Sequence, residues 1–144
     1  MSSLNRCPFC KENLILPYGS PTARLALVGE FPGDNEIKQG RPFVAIYRNW
    51  GVKGPASAGA VLEIELQRVG IAIKDCLITN VWMHRADICD GFDWHLAHTI
   101  KVIKKCKVIL LMGSTATEAL LRKNVSDVSS LRVYSDLLPK IPIY

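Results

Sequence analysis

The sequence predicts one α/β domain that spans residues 1–144, with an open, doubly wound parallel sheet and helices on both of its faces. The first observation is that several short runs, such as Val108–Met112, are apolar at every position, which is typical of strands buried on both faces. The second is that segments with apolar residues at helical spacing alternate with these runs. The third is size, because 144 residues that are 49% apolar supply one hydrophobic core and are too few for two.

The first half of the chain contains one predicted strand and one predicted helix. The strand, Leu25–Val28, is followed by a turn-rich and glycine-rich stretch that runs to about residue 54. Leu62, Leu66 and Val69 then recur at helical spacing, and a glycine directly after them ends the helix.

The second half continues the alternation. Strands are predicted at Cys76–Trp82 and Lys107–Met112, and the segment between them has apolar residues on one face of a helix. Ser114 or Thr115 is expected to cap the next helix, and Thr115-Ala-Thr-Glu118 matches a capping box. The remaining predictions are the end of this helix near Lys123 and two weaker strands, Leu131–Tyr134 and Ile141–Tyr144.

Composition and the amino terminus exclude several classes of protein. The longest apolar run is far too short to cross a bilayer, and residues 1–7 show no basic segment followed by an apolar core, so we expect neither a membrane protein nor a secreted one. We therefore expect a cytoplasmic protein with its five cysteines reduced. Eighteen Lys and Arg against thirteen Asp and Glu give a net charge of +5, which favours a polyanionic partner.

The chemistry-bearing residues follow the predicted strands. In an open α/β sheet, ligands bind beyond the carboxyl ends of the strands. Those ends carry Gly29–Gly33, Thr79–His84 and Gly113–Thr115. We therefore expect the functional site at this edge of the sheet.

Four segments of the chain, in this order, match the pattern of one protein family. They carry a Gly-Glu-x-Pro-Gly-x-x-Glu motif, a Gly-x-Pro-Phe-Val motif, a strand ending in Thr-Asn and a Lys-Val-Ile strand ending in Gly. The segments are Leu27–Glu36, Gly40–Val44, Ile78–Val81 and Lys107–Gly113. With them the chain resembles the uracil-DNA glycosylase superfamily, and most of all its iron–sulfur branch, from about Cys7 to Leu121.

The resemblance implies a pocket for a base that has been flipped out of DNA. Phe43 would be the stacking floor and Asn80 would hydrogen-bond the uracil edge; the alternatives are a core phenylalanine and a turn-forming asparagine. Glu30 would be the catalytic acid that arranges water or stabilises positive charge on the sugar. Phe31 stands where the classical enzymes have an Asp that orients water; it cannot do the work of that Asp but would shape the pocket, while the backbone at Gly33 would contact the base or a phosphate.

The resemblance also implies DNA contacts. Arg41, Arg48 and Lys53 would neutralise phosphates, and a solvated surface is the equally weighted alternative. The expected partner is DNA that contains uracil or a modified pyrimidine. We further expect the chain to be a monomer. A replication or repair protein is the second kind of partner to be considered.

The family's cluster is held by four cysteines, and this chain keeps only part of that set. Cys7 and Cys10 match the first pair, His84 stands at the third position, and Asp93 lies near the fourth. Cys89 lies between those two positions, so Cys7, Cys10, His84 and Cys89 would form a set that also suits tetrahedral zinc. The cofactor is therefore expected to be an iron–sulfur cluster, zinc or nothing, with Cys7 and Cys10 as remnants or surface thiols in the last case.

The other cysteines and histidines are expected to have ordinary structural roles. Cys76 and Cys106 lie on or beside apolar strands and should be packed in the core. His95 and His98 are interpreted as two surface histidines of one helix, since no third ligand is near them in the sequence.

The family ends with a His-Pro-Ser type loop that is not found after Lys140–Tyr144. We expect either a truncated chain or a shortened relative whose catalysis is weak, rearranged or absent, because losing one anion stabiliser costs ~100- to 1000-fold in rate.

The first hypothesis is hydrolysis of the N-glycosidic bond of uracil, or of a related flipped pyrimidine, in DNA. The alternative is a weak or inactive relative that acts as a DNA-binding or replication-accessory subunit. A phosphate-binding domain at Gly29–Gly33 is disfavoured, because the loop lacks a Gly-x-Gly-x-x-Gly motif.

Overall fold

A computed structural model of the chain describes residues 5–20, 22–44, 57–85, 89–128 and 132–144. Within these ranges, six strands form one sheet and helices connect them. The strands are β1 (Tyr18–Gly19), β2 (Leu25–Gly29), β3 (Leu77–Asn80), β4 (Val108–Leu111), β5 (Val133–Ser135) and β6 (Leu138–Ile143). The helices are α1 (Asp34–Gln39), α2 (Ala58–Arg68), α3 (Phe92–Ile103), α4 (Ser114–Leu121) and α5 (Val125–Val128), with a 3₁₀ turn at Ile73–Asp75.

The strand order is β1-β3-β2-β4-β6-β5. The strands β3, β2, β4 and β6 run parallel to their neighbours, whereas β1 and β5 join the two edges in antiparallel orientation. The predicted open parallel sheet is therefore confirmed, with one antiparallel strand added at each edge. Both added strands are short, which left them weak or invisible in the sequence pattern.

Side chains alternate between the two faces of the sheet and pack against helices on both. On one face, Ala26 and Val28 of β2 lie in a core with Ile103 of α3 and Leu120 of α4. On the other face, Leu27 packs with residues of α2. The prediction of helices on both faces is confirmed, and it explains why β2 is apolar throughout.

Two details of the helices differ from the sequence prediction. The stretch after Gly33 was expected to be a loop, but it contains α1, which has Asp34 and Glu36 in its first turn and ends at Gly40 with φ 72°. Acidic residues at the amino end and a left-handed glycine after the carboxyl end both stabilise a short helix. The predicted capping box is wrong, because α4 begins after Gly113 (φ 91°) and no side chain caps it.

None of the helices in the described ranges is long and apolar enough to cross a membrane.

Candidate functional site

The carboxyl ends of β2 and β3 bring Phe43 and Asn80 together over one glycine. Gly29 is paired with Asn80 in the parallel register. A Cβ atom on Gly29 would lie 2.4 Å from Cζ of Phe43 and 2.6 Å from Oδ1 of Asn80. The absence of a side chain at Gly29 therefore lets the aromatic ring and the carboxamide approach the strand end.

A cavity of about 230 Å³ opens at this edge of the sheet. Its lining residues are Phe31, Gly33, Glu36, Phe43, Ala58 and Asn80. This volume is below the range of about 300–1,000 Å³ that is typical of pockets for drug-sized ligands, so it suits one base better than a whole nucleotide. Every residue predicted to contact the base, namely Phe31, Gly33, Phe43 and Asn80, lines this cavity.

Phe43 is held in an unusual backbone conformation by the start of α2. Its φ is +52°, a left-handed value that non-glycine residues rarely adopt. A Cβ atom on Gly59 would lie 2.5 Å from the Phe43 carbonyl oxygen, so α2 approaches this backbone directly. The Ser57 hydroxyl donates to the Val44 carbonyl oxygen over 2.8 Å and accepts from the Ala60 N–H over 3.2 Å. These contacts offset the backbone strain and fix the position of the ring.

Asn80 is anchored from the opposite face of the sheet. Only 4% of the residue is exposed, and its carbonyl oxygen accepts a hydrogen bond of 3.0 Å from the Thr99 hydroxyl of α3. Thr99 is itself fully buried. The backbone of Asn80 is thus fixed at the end of β3, which orients the carboxamide at the cavity wall.

The two glutamates of the motif lie in different environments. Glu30 directly follows β2, its carbonyl oxygen accepts from the Trp82 N–H over 2.9 Å, and the residue is exposed and outside the set that lines the cavity. Glu36 on α1 is half-buried and lines the cavity, with Oε2 3.0 Å from the place of a Cβ on Gly33. Phe43, Asn80 and a carboxylate therefore line the same cavity, but this carboxylate is that of Glu36 and not that of the predicted Glu30.

The predicted DNA-contacting cations are only partly described. Arg41 has its guanidinium 5.1 Å from the centre of the Tyr18 ring and donates to the Tyr18 hydroxyl over 3.3 Å. Arg48 and Lys53 lie outside the described residues.

A second group of side chains, here called the Cys/His cluster, gathers beyond the end of β3. Its members are Cys7, Cys10, His84, Cys89 and His95. The ligand atoms of all members except Cys10 lie within 4.8 Å of one another. Cys10 Sγ lies 3.4 Å from His84 Nε2, so it borders the same group. These residues are close enough together to bind a metal ion, and sulfur and imidazole donors suit zinc and iron.

His95 is a correction to the sequence analysis. It was expected on the surface, but it is fully buried, with Nε2 3.0 Å from His84 Nε2 and 3.7 Å from Cys7 Sγ. The helical spacing carries the missed signal, because His95 falls on the α3 face that also buries Thr99 and Ile103. His98 is exposed, as expected, and its Nδ1 donates to the Trp94 carbonyl oxygen.

The cysteines fall into two groups, and all five lie in described ranges without a disulfide. Cys7 is fully buried, so the interpretation as a surface thiol is wrong for this residue. Cys76 and Cys106 are packed in the core, as expected, and burial raises the pKa of both thiols. They are therefore poor nucleophiles and poor metal ligands.

Ionisation in the Cys/His cluster is uneven. Burial acts to raise the pKa of Cys7, but hydrogen bonds from the backbone of Cys10 and Phe9 and from the side chains of His84 and Cys10 lower it to about 7. Burial and the nearby Cys7 and Cys10 raise the pKa of Cys89 to about 11. Burial, with smaller contributions from the other two histidines, lowers the pKa of His95 to about 4. The Cys7 thiolate therefore forms readily, and its negative charge opposes the ionisation of Cys89.

Together, the fold and the site define a doubly wound α/β protein with a base-sized cavity at its strand ends and a Cys/His cluster beside it. Residues 16–140 match the profile of the uracil DNA glycosylase superfamily, and the chain belongs to this superfamily. The resemblance inferred from the four motif segments is thus confirmed.

Three relatives indicate the branch of the superfamily. The chain is 30% identical over 138 residues to a type-4 uracil-DNA glycosylase of Sulfurisphaera tokodaii, an alignment that covers 87% of this chain and 58% of the relative. It is 32% identical over 83 residues to type-4 uracil-DNA glycosylases of Pyrobaculum aerophilum and Thermotoga maritima. Those alignments cover 56% and 54% of this chain, and 37% and 38% of the relatives. The chain therefore matches between roughly a third and three fifths of each relative's length.

Proposed function

We propose that this chain is a DNA glycosylase that hydrolyses the N-glycosidic bond of uracil, or of a related flipped pyrimidine, in DNA. The observation that carries the proposal is the meeting of the Phe43 ring and the Asn80 carboxamide over Gly29, at the wall of a cavity of about 230 Å³. A flat apolar ring beside an amide is the combination that holds a flipped base by stacking and reads its pairing edge.

Phe43 and Asn80 divide the recognition between them. The ring of Phe43 stacks on any base, so it supplies affinity without selecting among bases. The Asn80 carboxamide has both a donor and an acceptor, which match the O4 and N3–H of uracil; cytosine presents the reverse pattern. We expect uracil to be preferred because the wrong base leaves a buried amide unpaired.

Two carboxylates are available for the chemistry. Bond cleavage places positive charge on the sugar, which a nearby carboxylate stabilises or helps water to attack. The sugar of a flipped nucleotide lies at the mouth of a base pocket, where Glu30 directly follows Gly29, so Glu30 remains the proposed catalytic acid. Glu36, on the cavity wall, is proposed to orient the base or the attacking water.

The remaining features concern the DNA and the setting. Arg41, Arg48 and Lys53 are proposed to contact phosphates, which makes binding salt-dependent. The Cys/His cluster contributes no residue to the cavity lining, so the group it holds, an iron–sulfur cluster or zinc, is proposed to be structural. We also propose that the chain acts as a monomer in the cytoplasm.

The test is strand scission. The chain is incubated with an oligonucleotide that contains one uracil and then treated with alkali, which cleaves at an abasic site. We expect scission by the unmodified chain and by the control Asn124→Ala, whose residue is exposed elsewhere, and none by Asn80→Ala. Binding to DNA without scission would support the accessory-subunit alternative, which the exposed position of Glu30 outside the cavity lining favours.

A second comparison separates the two acids. Glu30→Gln and Glu36→Gln are assayed beside Glu118→Gln, a matched change at an exposed position of α4. Loss of scission in Glu30→Gln alone assigns the catalysis to Glu30, and loss in Glu36→Gln alone transfers it to the cavity wall.

A further inference from the structure

The Cys/His cluster joins three separate parts of the chain in a buried place. Cys7 and Cys10 come from the amino-terminal segment, His84 and Cys89 from the segment between β3 and α3, and His95 from α3. Cys7 and His95 are fully buried and His84 is 3% exposed. Two tryptophans pack against the cluster, with ring centroids 5.1 Å (Trp82) and 5.0 Å (Trp94) from that of His95.

We propose that Cys7, Cys10, His84 and Cys89 bind one tetrahedral zinc ion, and that His95 is a hydrogen-bond donor to this site and not a ligand. The proposal concerns the metal site alone and holds whether or not the cavity excises uracil.

The distances between the ligand atoms match a single ion. In a tetrahedral site with Zn–S and Zn–N bonds of about 2.3 and 2.0 Å, two sulfurs lie ~3.8 Å apart and a sulfur and a nitrogen ~3.5 Å apart. Cys7 Sγ and Cys89 Sγ are 3.8 Å apart, and His84 Nε2 lies 3.4 Å from Cys10 Sγ and 3.3 Å from Cys89 Sγ.

The same distances do not fit the iron–sulfur cluster that the family resemblance implies. The four protein ligands of a four-iron cluster bind four different iron atoms at the corners of a cube, so they are spread around the outside of a large inorganic body. The atoms of Cys7, His84 and Cys89 lie within 4.8 Å of one another, which leaves room for one ion only. Three thiolates and one imidazole are also an established set for structural zinc.

The hydrogen bonds distinguish the two histidines. His84 Nδ1 lies 2.7 Å from the Arg85 carbonyl oxygen and must donate to it, so the lone pair of the ring is on Nε2, the nitrogen that faces the thiols and that a metal would bind. His95 Nδ1 accepts from the Met83 N–H over 3.2 Å, so the single proton of this neutral ring is on Nε2. That N–H lies 3.0 Å from His84 Nε2 and 3.7 Å from Cys7 Sγ; once His84 Nε2 binds the metal, the acceptor left to it is the Cys7 thiolate, and a protonated Nε2 cannot itself bind the metal.

The amino-terminal segment forms a closed turn at the two cysteines. The Cys7 N–H donates to the Glu12 carbonyl oxygen over 2.9 Å. The turn is closed by the Lys11 N–H, which donates to the Cys7 carbonyl oxygen over 2.9 Å, and Lys11 has a left-handed φ of 67°. This strained turn allows Cys7 to reach Cys89 and Cys10 to reach His84, as two ligands of one ion require.

The test begins with the composition of the full chain purified from cells supplied with both zinc and iron. Elemental analysis is expected to give one zinc per chain, with no acid-labile sulfide and no broad visible absorption. Replacement of zinc by Co²⁺ should produce the absorption of tetrahedral cobalt–thiolate. Iron with stoichiometric sulfide, or a Cys7–Cys89 disulfide without metal, would overturn the proposal.

Variants then assign the ligands. Cys10→Ser and His84→Ala should lose stoichiometric zinc, whereas His95→Gln should keep one zinc with affinity weakened about 10- to 100-fold. Cys106→Ala, a buried thiol outside the cluster, is the control and should bind zinc normally. Because His84→Ala can fail to fold, His84→Cys is added: it should keep one ion and strengthen the sulfur-to-cobalt absorption. Loss of zinc in His95→Gln together with full retention in Cys10→Ser would replace Cys10 by His95 and contradict the assignment.

Discussion

The cavity and the Cys/His cluster are built from the same strand end, but they are held together differently. Asn80 is the last residue of β3 and lines the cavity, and the chain that leaves β3 leads to His84 in the cluster. The cavity walls are fixed by backbone constraints at Gly29, Phe43 and Gly59. The cluster depends on contacts between side chains from distant parts of the sequence.

This difference indicates how the two regions should respond to change. The sheet and α2 determine the cavity, so substitutions there should alter binding and chemistry with little effect on folding. The cluster places sulfur and imidazole groups together in a buried location, which is favourable chiefly when an ion binds them. Changes in the cluster should therefore appear first as lost stability.

Removal of the metal is expected to have the largest effect. For an ion present at a thousandfold excess over its Kd, binding stabilises the folded state by about 4 kcal/mol. At roughly 2–4 °C per kcal/mol for a chain of this size, a strong chelator should lower Tm by about 10 °C. Scanning calorimetry with and without chelator measures the shift, and re-addition of Zn²⁺ should reverse it. An unchanged Tm would show that the cluster is stable without metal.

Closing the cavity is expected to come next. In Gly29→Ala the new methyl group would lie 2.4 Å from the Phe43 ring and 2.6 Å from the Asn80 oxygen, so both must move. Displacement of a positioning group by about 1 Å costs about 100-fold in rate, equivalent to about 2.7 kcal/mol. Single-turnover excision measures the loss, and the chelator-induced Tm shift should remain as in the unmodified chain. Normal excision by Gly29→Ala would place the chemistry elsewhere.

Thr99 supports the strand end that both regions share. Thr99→Val keeps the shape of the side chain but removes the hydroxyl that donates to the Asn80 carbonyl oxygen. We expect a loss of about 1–2 kcal/mol in the free energy of unfolding, measured by urea denaturation, because the buried Asn80 carbonyl loses its shorter hydrogen bond and keeps only the 3.4 Å one from the Thr79 hydroxyl. A rate loss without any stability loss would mean that Thr99 acts only on the cavity.

The smallest effect is expected at the ion pair between Asp34 and Arg85, which links α1 to the chain beyond β3. The two charged groups are 2.8 Å apart, with side chains that are 77% and 49% exposed. Exposed pairs contribute about 0–1 kcal/mol, so Asp34→Asn should change the free energy of unfolding by less than about 0.5 kcal/mol. A larger change in urea denaturation would show that α1 and the segment after β3 are coupled.

The sequence predicts the sheet well because apolar runs and strand-end motifs are local signals. Leu25–Val28 and the Thr-Asn end of β3 fall where expected, and Phe43 and Asn80 meet. Orientation at the end of a strand is not a local property, which is why the carboxylate on the cavity wall is that of Glu36 and not Glu30. The Gly-Glu-x-Pro-Gly-x-x-Glu motif contains both glutamates. Glu36 lines the cavity because it lies on α1, a helix that the sequence pattern did not predict.

The cluster was harder to predict because its members come from distant segments. Cys7, Cys10, His84 and Cys89 could be proposed from the family pattern, but His95 was expected to be exposed, as polar residues on helices usually are. Its spacing from Thr99 and Ile103 indicates the buried face of α3, but the spacing does not show that this face meets Cys7.

The most direct test of the central claim compares single-turnover excision of uracil and of cytosine from the same position in one oligonucleotide. If Phe43 and Asn80 form a pocket that reads the pairing edge, the unmodified chain should release uracil and leave cytosine in place, and Asn80→Ala should lose the uracil reaction. Release of both bases at equal rates, or uracil release by Asn80→Ala at the unmodified rate, would contradict it.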